Sequence, residues 1–291
     1  MAQTAQERGP WASRSPSETR PGQGRSKLRL RVYSGLVGIP ALLLFIWLGV
    51  PTTAALVSAA AVIGVYEFHR LTIRAGATVM LLLGLTATVL FTVDAVIDFD
   101  ISGPLITGTV LIPLLLLVFL PAKERFLADW VWTVTGVFFI GWTLSHAVLI
   151  RALVEGREWL ITLVVLTFAI DTSAYAVGRL LGRRPLAPAI SPGKTWEGAI
   201  GGMVGGMVAA VATTTAFDLE IGAWSAVVLG LLVAIFAQAG DLAVSLIKRV
   251  SGVKDTGGII PGHGGLLDRL DSLIPATVVL YYFLIKGVGV P

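Results

Sequence analysis

The sequence predicts an all-α membrane protein, a polytopic bundle of about nine transmembrane helices with a cytoplasmic N-terminus. The chain of 291 residues is 55% hydrophobic and only 14% charged, and its mean hydropathy is +0.83. Soluble domains hold about 25% charged residues, so this composition excludes a water-soluble helical core. Apolar runs of about 20 residues, each long enough to cross a hydrocarbon layer of about 30 Å, recur along the chain.

The elements follow in order from this pattern. Residues 1–28 form a basic tail rich in Ser, Pro, Gly and Arg, and we expect disorder there because nothing in it can build a core. Residues 29–158 hold the N-terminal transmembrane helices, and residues 159–291 hold a C-terminal catalytic region. The nine predicted spans are Leu30–Val50, Thr52–Leu71, Ala77–Val96, Gly103–Leu120, Trp130–Leu153, Trp159–Leu181, Glu197–Phe217, Ala223–Ile247 and Asp271–Val288.

The distribution of basic residues predicts the orientation. Cytoplasmic loops of membrane proteins are rich in Lys and Arg. With the tail inside, all of the 22 basic residues except Arg151, Arg157 and Lys286 fall in segments on the cytoplasmic side. The two loops that carry the polar motifs fall on that side too. We therefore expect a protein of the cell membrane whose site faces the cytoplasm, where nucleotides and Mg²⁺ are available.

Cysteine is absent, and the three histidines are scattered at His69, His146 and His263. Disulfides and thiolate metal sites are therefore excluded. A metal would be held by carboxylates, which indicates Mg²⁺ or a similar hard cation. Glu67 and His146 lie within apolar spans, and we expect them to be buried polar partners without assigning them a role.

The densest polar motif begins at Asp241, which interrupts an apolar span. A carboxylate in lipid costs several kcal/mol unless it is compensated, so Asp241 is a functional candidate. On a helix, Ser245 and then Lys248 or Arg249 would share its face. That face would present a carboxylate, a hydroxyl and a cation together. The alternative is a buried Asp–Lys pair that joins two helices.

A glycine-rich linker, residues 252–265, follows this helix. Such a linker can bring backbone N–H groups close to phosphate oxygens, and Lys254 and His263 would add charge and hydrogen bonds. The alternative is a plain connecting or re-entrant loop.

Two acids, Asp268 and Asp271, then open the last span. Their spacing places both on one side of a helix. With Asp241 they would form an oxygen-rich cation site of the kind that holds Mg²⁺ on substrate phosphates, and Arg269 suits a phosphate contact. The alternative is helix capping by Asp268, with Asp271 favoured by the helix dipole.

The second polar region begins at Asp171, again within an apolar run. Further along, Ser191, Lys194 and Thr195 surround a Pro-Gly turn and form a candidate phosphate or nucleotide clasp, although the spacing of a Walker A loop is absent. The alternative is a basic anchor loop. The glycines that follow, at positions 198, 201, 202, 205 and 206, predict close helix packing in lipid.

These motifs resemble the signature of the phosphatidate cytidylyltransferases, also called CDP-diacylglycerol synthases. The matching positions are Ser245-Leu246-Ile247-Lys248-Arg249, Lys254-Asp255, Gly257, Pro261, His263-Gly264-Gly265 and Asp268-Arg269-Leu270-Asp271. The stretch from Asp171 to Gly198 is also similar to a cytoplasmic part of that family, with Ser173 where the family has glycine. The resemblance is strong over residues 159–291.

The resemblance implies an enzyme of phospholipid biosynthesis that transfers CMP from CTP to phosphatidic acid, giving CDP-diacylglycerol and pyrophosphate. It implies Mg²⁺ as the cofactor, with a second cation left open, and Asp241, Asp268 and Asp271 as the metal site. The implied catalytic residues are Lys248, Arg249, Lys254, Asp255, His263 and Arg269, and the implied substrate-binding residues are Asp171, Ser191, Lys194, Thr195 and Ser245. The implied partners are CTP, phosphatidic acid and membrane lipids, with no nucleic acid and with a homodimer left open.

Three other classes compete with this interpretation. A CTP-dependent lipid-alcohol kinase of the dolichol-kinase type would release CDP rather than pyrophosphate. A cation-coupled transporter would be expected to show repeated halves, whereas the polar residues here collect in the C-terminal half. A CDP-alcohol phosphotransferase would need a DGxxAR-type motif, which the chain lacks.

Overall fold

The computed structural model describes residues 23–76, 80–97, 101–119, 126–259 and 264–290, and for residues 23–34 it describes the backbone alone. The helices are α1 (Gln23–Trp47), α2 (Val50–Arg74), α3 (Leu81–Ile97), α4 (Ser102–Phe119), α5 (Phe126–Gly136), α6 (Thr143–Ala152), α7 (Gly156–Leu181), α8 (Trp196–Ala216), α9 (Ala223–Val250), α10 (Leu267–Leu270) and α11 (Leu273–Tyr282). A π-helical turn, Val137–Trp142, joins α5 to α6, and a second, Phe283–Val288, extends α11. Two short strands, β1 (Pro185–Ala187) and β2 (Ser191–Thr195), lie between α7 and α8.

The predicted all-α membrane bundle is confirmed. Within the described residues, seven helical segments are long and apolar enough to cross a membrane, and they are Val50–Arg74, Ser102–Phe119, Phe126–Ala152, Gly156–Leu181, Trp196–Ala216, Ala223–Val250 and Leu267–Val288. Two shorter apolar helices, Gly35–Leu48 and Leu81–Ile97, coincide with the first and third predicted spans. The count of nine and the cytoplasmic N-terminus stay predictions. Residues 1–22 of the predicted tail, 1–28, lie outside the described residues. The remaining six residues of the predicted tail belong to α1, which begins at Gln23.

Glycines on α8 allow it to lie directly against its neighbours. A methyl group at Gly201 would approach Val177 of α7 to 2.5 Å, and one at Gly206 would lie 2.9 Å from the carbonyl oxygen of Gly230 on α9. The prediction that this glycine run packs helices closely is therefore confirmed. Because α8 packs against both α7 and α9, Asp171 of α7 and Asp241 of α9 line one cleft beside it.

Two buried apolar clusters hold the bundle together. The larger one joins α6, α7, α9 and α11 around Trp159, Leu163, Leu229 and Leu280. The second is built on Phe68 of α2 and joins it to α6, α9, α10 and α11 through Leu144, Val244, Leu267 and Ile274. Burial of each such side chain stabilises the packed state, and in this second cluster α2 is fastened to the segment that carries the C-terminal motif.

The two strands form an antiparallel hairpin in which Pro185 pairs with Thr195 and Ala187 with Ser191. The sequence predicts only a Pro-Gly turn here. Thr195 ends the hairpin in an extended conformation and caps α8, because its Oγ1 accepts a hydrogen bond from Gly198 N at 3.1 Å. Glu197 accepts bonds from the backbone N–H groups of Arg183 and Arg184 at 3.1 and 3.2 Å. The hairpin is therefore fixed to the start of α8 at both of its ends.

Candidate active site

A cleft with a volume of about 350 Å³ opens between α7, the hairpin, α8 and α9. Its polar lining includes Asp171 and Tyr175 from α7, Lys194 from β2, and Gln238 and Asp241 from α9. Three of these five residues are sequence-predicted site residues that lie far apart in the chain. The fold thus brings the two polar regions of the sequence to one concave surface, which is where ligand sites are usually found.

An ion pair crosses this cleft. Lys194 Nζ lies 2.5 Å from Asp241 Oδ2, and both side chains are about 30% exposed, at 27% and 31%. Ser245 Oγ donates a hydrogen bond to Asp241 Oδ1 at 3.4 Å, one helical turn further along α9. The Lys194 ammonium is thus paired with the Asp241 carboxylate, and an anion that enters the cleft would compete with that carboxylate for it.

A glycine next to Asp241 brings α9 against the last helix. A methyl group at Gly240 would collide with the backbone carbonyl oxygen of Asp271 and would lie 2.6 Å from the ring of Pro275. Because of this approach, the carboxylates of Asp241 and Asp271 interact electrostatically, and Asp171 also lies within range of both. Helices α7 and α9 and the residue that follows α10 therefore contribute one carboxylate each to the same part of the bundle.

A second ion pair lies beside this group of carboxylates. Lys248 Nζ is 2.7 Å from Asp268 Oδ1, and both side chains are largely buried. Asp268 Oδ2 accepts bonds from Thr256 N at 2.9 Å, Thr256 Oγ1 at 3.0 Å and Gly265 N at 3.2 Å. Asp268 thus faces the glycine-rich linker, whereas Asp271 interacts with Asp241.

Asp268 and Asp271 lie on two different local structures. Asp268 belongs to the four-residue helix α10, at whose N-cap position Leu266 stands, and Asp271 follows this helix before α11 begins at Leu273. Asp271 Oδ1 accepts a bond from Ser272 N at 2.8 Å. The prediction that the two acids share one face assumes a continuous helix, whereas the helix is interrupted at Asp271.

The donor chemistry of the site suits a hard cation. Within the described residues, no three His, Asp or Glu side chains converge as ligands of a single metal ion. Mg²⁺ usually keeps several waters and is held by one or two carboxylates together with substrate phosphates. Asp241 and Asp271 fit that arrangement. Both oxygens of Asp268 already accept hydrogen bonds, one of them from Lys248. Asp268 would therefore have to release Lys248 before it could bind the cation.

Two predicted residues make contacts that organise the hairpin. Arg249 Nε donates a bond to the carbonyl oxygen of Ile190 at 3.0 Å, which ties the end of α9 to the hairpin turn. Ser191 pairs with Ala187 at the start of β2 and is absent from the described lining of the cleft. Thr195 both caps α8 and lines the cleft.

The remaining predicted residues lie on the linker or next to it. Lys254, Asp255 and Arg269 are exposed. Asp255 lies close to Gly264, across the linker, and Arg269 interacts electrostatically with Asp171. His263 lies outside the described residues, so its predicted role stays a prediction.

The structure adds functional candidates that the sequence did not single out. Tyr175 lies one turn beyond Asp171 on α7 and accepts a bond from Arg179 Nη1 at 2.8 Å, and both line the cleft. The spacing from Asp171 was a usable signal for Tyr175. Gln238 Nε2 donates bonds to Ala199 O at 3.3 Å and Ala234 O at 3.1 Å, so it joins α8 to α9 at the wall of the cleft.

The model of the cytidylyltransferase family matches residues 29–286. The match therefore extends well beyond the region 159–291 that carries the motifs, into the helices that the sequence assigns by hydropathy alone.

Curated relatives named phosphatidate cytidylyltransferase align with a little more than half of this chain. One from Brucella abortus (strain 9-941) is 42% identical over 160 residues, which are 52% of this chain and 56% of the relative. One from Mycobacterium tuberculosis (strain H37Rv) is 36% identical over 164 residues, 56% of this chain and 50% of the relative. One from Staphylococcus saprophyticus is 34% identical over 166 residues, 57% of this chain and 63% of the relative. The aligned parts span between half and two thirds of the length of these relatives.

Proposed function

The chain belongs to the cytidylyltransferase family, and on that premise we propose that it is a phosphatidate cytidylyltransferase. It transfers CMP from CTP to phosphatidic acid and yields CDP-diacylglycerol and pyrophosphate. The observation that carries the proposal is the Lys194–Asp241 pair, which closes a cleft lined by Asp171, at the edge of a helical bundle that is apolar enough to lie in a membrane.

The reaction joins two anions, and the charges of the site suit that task. An oxygen of the phosphatidate phosphate attacks the α-phosphorus of CTP, a new P–O bond forms, and the bond between the α-phosphorus and the oxygen that bridges to the β-phosphorus breaks. Pyrophosphate leaves with the electron pair. A phosphomonoester is already ionised near neutral pH, so no side chain has to remove a proton. Positioning and electrostatic stabilisation supply the catalysis.

The cationic residues take the roles of phosphate contacts in this proposal. Lys194 lines the cleft and is paired there with Asp241, and it binds a phosphate of the incoming nucleotide in place of that carboxylate. Lys248 is held in place by Asp268. Arg269 follows Asp268 in the chain, Lys254 lies in the glycine-rich linker, and both are exposed. Charge-assisted bonds from such groups to phosphate oxygens are among the stronger hydrogen bonds in proteins.

Mg²⁺ is the proposed cofactor, with Asp241 and Asp271 as its protein ligands and Asp268 as a further predicted one. When bound, the cation would offset the negative charge that accumulates on the phosphates during transfer. Asp171, exposed on α7 within electrostatic range of Asp241 and Asp271, would tune the charge of this ligand pair. A second cation and a homodimer stay predictions.

The distribution of basic residues supports a place in the cell membrane with the cleft on the cytoplasmic side. Lys194, in the hairpin, and Lys248, at the end of α9, each belong to a segment that is rich in Lys and Arg and is predicted to face the cytoplasm. These two lysines form the ion pairs with Asp241 and Asp268. The acyl chains of both the lipid substrate and the lipid product would remain in the bilayer while the headgroup reacts.

The proposal is tested by identifying the products. Purified protein in detergent is incubated with Mg²⁺ and CTP labelled at the γ-phosphate, with phosphatidate in one reaction and a polyprenyl-type lipid alcohol in the other. We expect labelled pyrophosphate with phosphatidate and no reaction with the alcohol. Labelled lipid phosphate and CDP in the alcohol reaction would instead identify a lipid-alcohol kinase.

A further inference from the structure

Glu67, in the N-terminal part of the chain, is joined to the proposed site by hydrogen bonds. It lies near the end of α2, is only 1% exposed and forms no part of the described cleft lining. A carboxylate is costly to bury in a bilayer-spanning helix unless its oxygens are compensated. The partners that compensate it therefore indicate what it does.

Three donors from the C-terminal motif bind this carboxylate. Glu67 Oε1 accepts a bond from Leu266 N at 3.2 Å, and Oε2 accepts bonds from Leu267 N at 2.9 Å and Thr256 Oγ1 at 3.1 Å. Leu266 and Leu267 follow the glycine-rich linker, whereas Thr256 lies near its beginning. One side chain of α2 therefore binds both ends of the linker.

The same linker is held from the other side by Asp268, through Thr256 N and Gly265 N. The hydroxyl of Thr256 lies 3.1 Å from Glu67 Oε2 and 3.0 Å from Asp268 Oδ2. A hydroxyl has one hydrogen and donates one bond at a time. Thr256 thus couples Glu67 directly to the carboxylate that positions Lys248.

Two glycines of the motif leave room for the Glu67 carboxylate. A methyl group at Gly257 would collide with Glu67 Oε1, and one at Gly265 would lie 2.7 Å from Oε2. The backbone of the linker therefore closes around this carboxylate at both positions. These glycines serve the contact with α2 whatever the linker also does toward phosphate.

We propose that Glu67 is a positioning residue for the site: it fixes both ends of the linker and, through Thr256, the orientation of Asp268 and its partner Lys248. The effect on turnover rests on the proposed function, because it presupposes that this site transfers CMP. The effect on the linker does not, since Glu67 would hold the backbone whatever the site catalyses.

The test combines local amide exchange with kinetics on the full chain in detergent. In Glu67→Gln, an amide N–H₂ replaces one carboxylate oxygen and faces backbone donors, so hydrogen exchange in peptides that contain Leu266 and Leu267 is expected to rise about tenfold, with exchange in α7 and α8 unchanged. Turnover with CTP and phosphatidate is expected to fall on the order of 10- to 100-fold. Thr72→Val removes a buried hydroxyl of α2 whose one hydrogen bond among the described residues is to His69 O, and this control is expected to change neither readout.

A second pair of variants separates the coupling from the fold. Thr256→Val removes the shared hydroxyl but leaves the backbone bonds of Glu67, so turnover is expected to fall about tenfold while exchange at Leu266 and Leu267 is unchanged; Thr256→Ser is expected to restore turnover. The proposal is overturned if Glu67→Gln keeps exchange and turnover within twofold of the parent, or if linker exchange rises while turnover does not fall. An inactive parent would refute the proposed function, and the exchange measurement would still decide whether Glu67 holds the linker.

Discussion

The ammonium of Lys194 lies 2.5 Å from the carboxylate of Asp241, and this contact joins the hairpin to α9 across the cleft. Each partner is about one third exposed, so the pair is open to competition from a charged ligand. An incoming triphosphate would bind Lys194 and free Asp241 for the cation that accompanies the nucleotide. The pair therefore holds two oppositely charged groups within reach of a ligand that enters the cleft.

Replacing Asp241 by Asn is expected to abolish transfer, because the neutral amide binds Mg²⁺ more weakly than the carboxylate does and cannot form the ion pair that orients Lys194. We expect turnover to fall on the order of 100-fold or more, with the thermal unfolding midpoint close to that of the parent. Asp218→Asn makes the same chemical change at an exposed residue with φ 54°, a backbone conformation that Asn tolerates. Turnover of Asp241→Asn within a few-fold of this control would remove Asp241 from the proposed cation site.

Replacing Lys194 by Met is expected to raise the KM for CTP, since a charge-assisted bond to phosphate contributes about 1.5–3 kcal/mol, which corresponds to roughly 10- to 150-fold. The KM for phosphatidate should change less. Lys286→Met removes an exposed cation from the final π-helical turn, far along the chain from the cleft residues, and serves as the matched control. Equal changes in both KM values would show that Lys194 does not discriminate the nucleotide.

Replacing Gly240 by Ala is expected to force α9 away from the last helix, because the new methyl group would collide with the Asp271 carbonyl and the Pro275 ring. Overpacking of this kind costs about 1–3 kcal/mol. Thermal unfolding in detergent should show this loss, and turnover should fall as Asp241 and Asp271 separate. Gly222→Ala, at a position with open space around it, should change neither quantity.

The Lys248–Asp268 pair is suited to a double-mutant cycle, because its side chains are only 14% and 10% exposed. Removing one partner of a buried ion pair leaves an uncompensated charge and costs about 3–5 kcal/mol. We expect Lys248→Met and Asp268→Asn each to lower stability by such an amount, and the double variant to lose clearly less than the sum. Strict additivity would mean that the two residues do not stabilise one another.

The sequence predicts the helices well because hydropathy is a local property. The predicted span Ala223–Ile247 differs from α9 by three residues at one end, and the predicted span Trp159–Leu181 differs from α7 by three residues at the other. Asp171 and Asp241 were found for the same reason: a carboxylate in an apolar run is conspicuous in the sequence itself. The structure places both in one cleft.

What the sequence missed depends on contacts between distant residues. The hairpin consists of strands of three and five residues that are held by contacts with α8 and α9, and so short a pattern resembles a turn in the sequence. Glu67 was recognised as a buried polar residue, but its partner Thr256 is 189 positions away. The separate surroundings of Asp268 and Asp271 arise because the linker folds back on Asp268, which helical spacing alone does not reveal.

The most direct test of the account follows the label of CTP into its products. Purified protein, Mg²⁺ and phosphatidate are incubated with CTP labelled at the α-phosphate or at the γ-phosphate, and lipid is separated from water-soluble products. We expect the α-label to enter the lipid fraction as CDP-diacylglycerol and the γ-label to stay in water as pyrophosphate. The γ-label in the lipid fraction, or neither label leaving CTP, would contradict cytidylyl transfer.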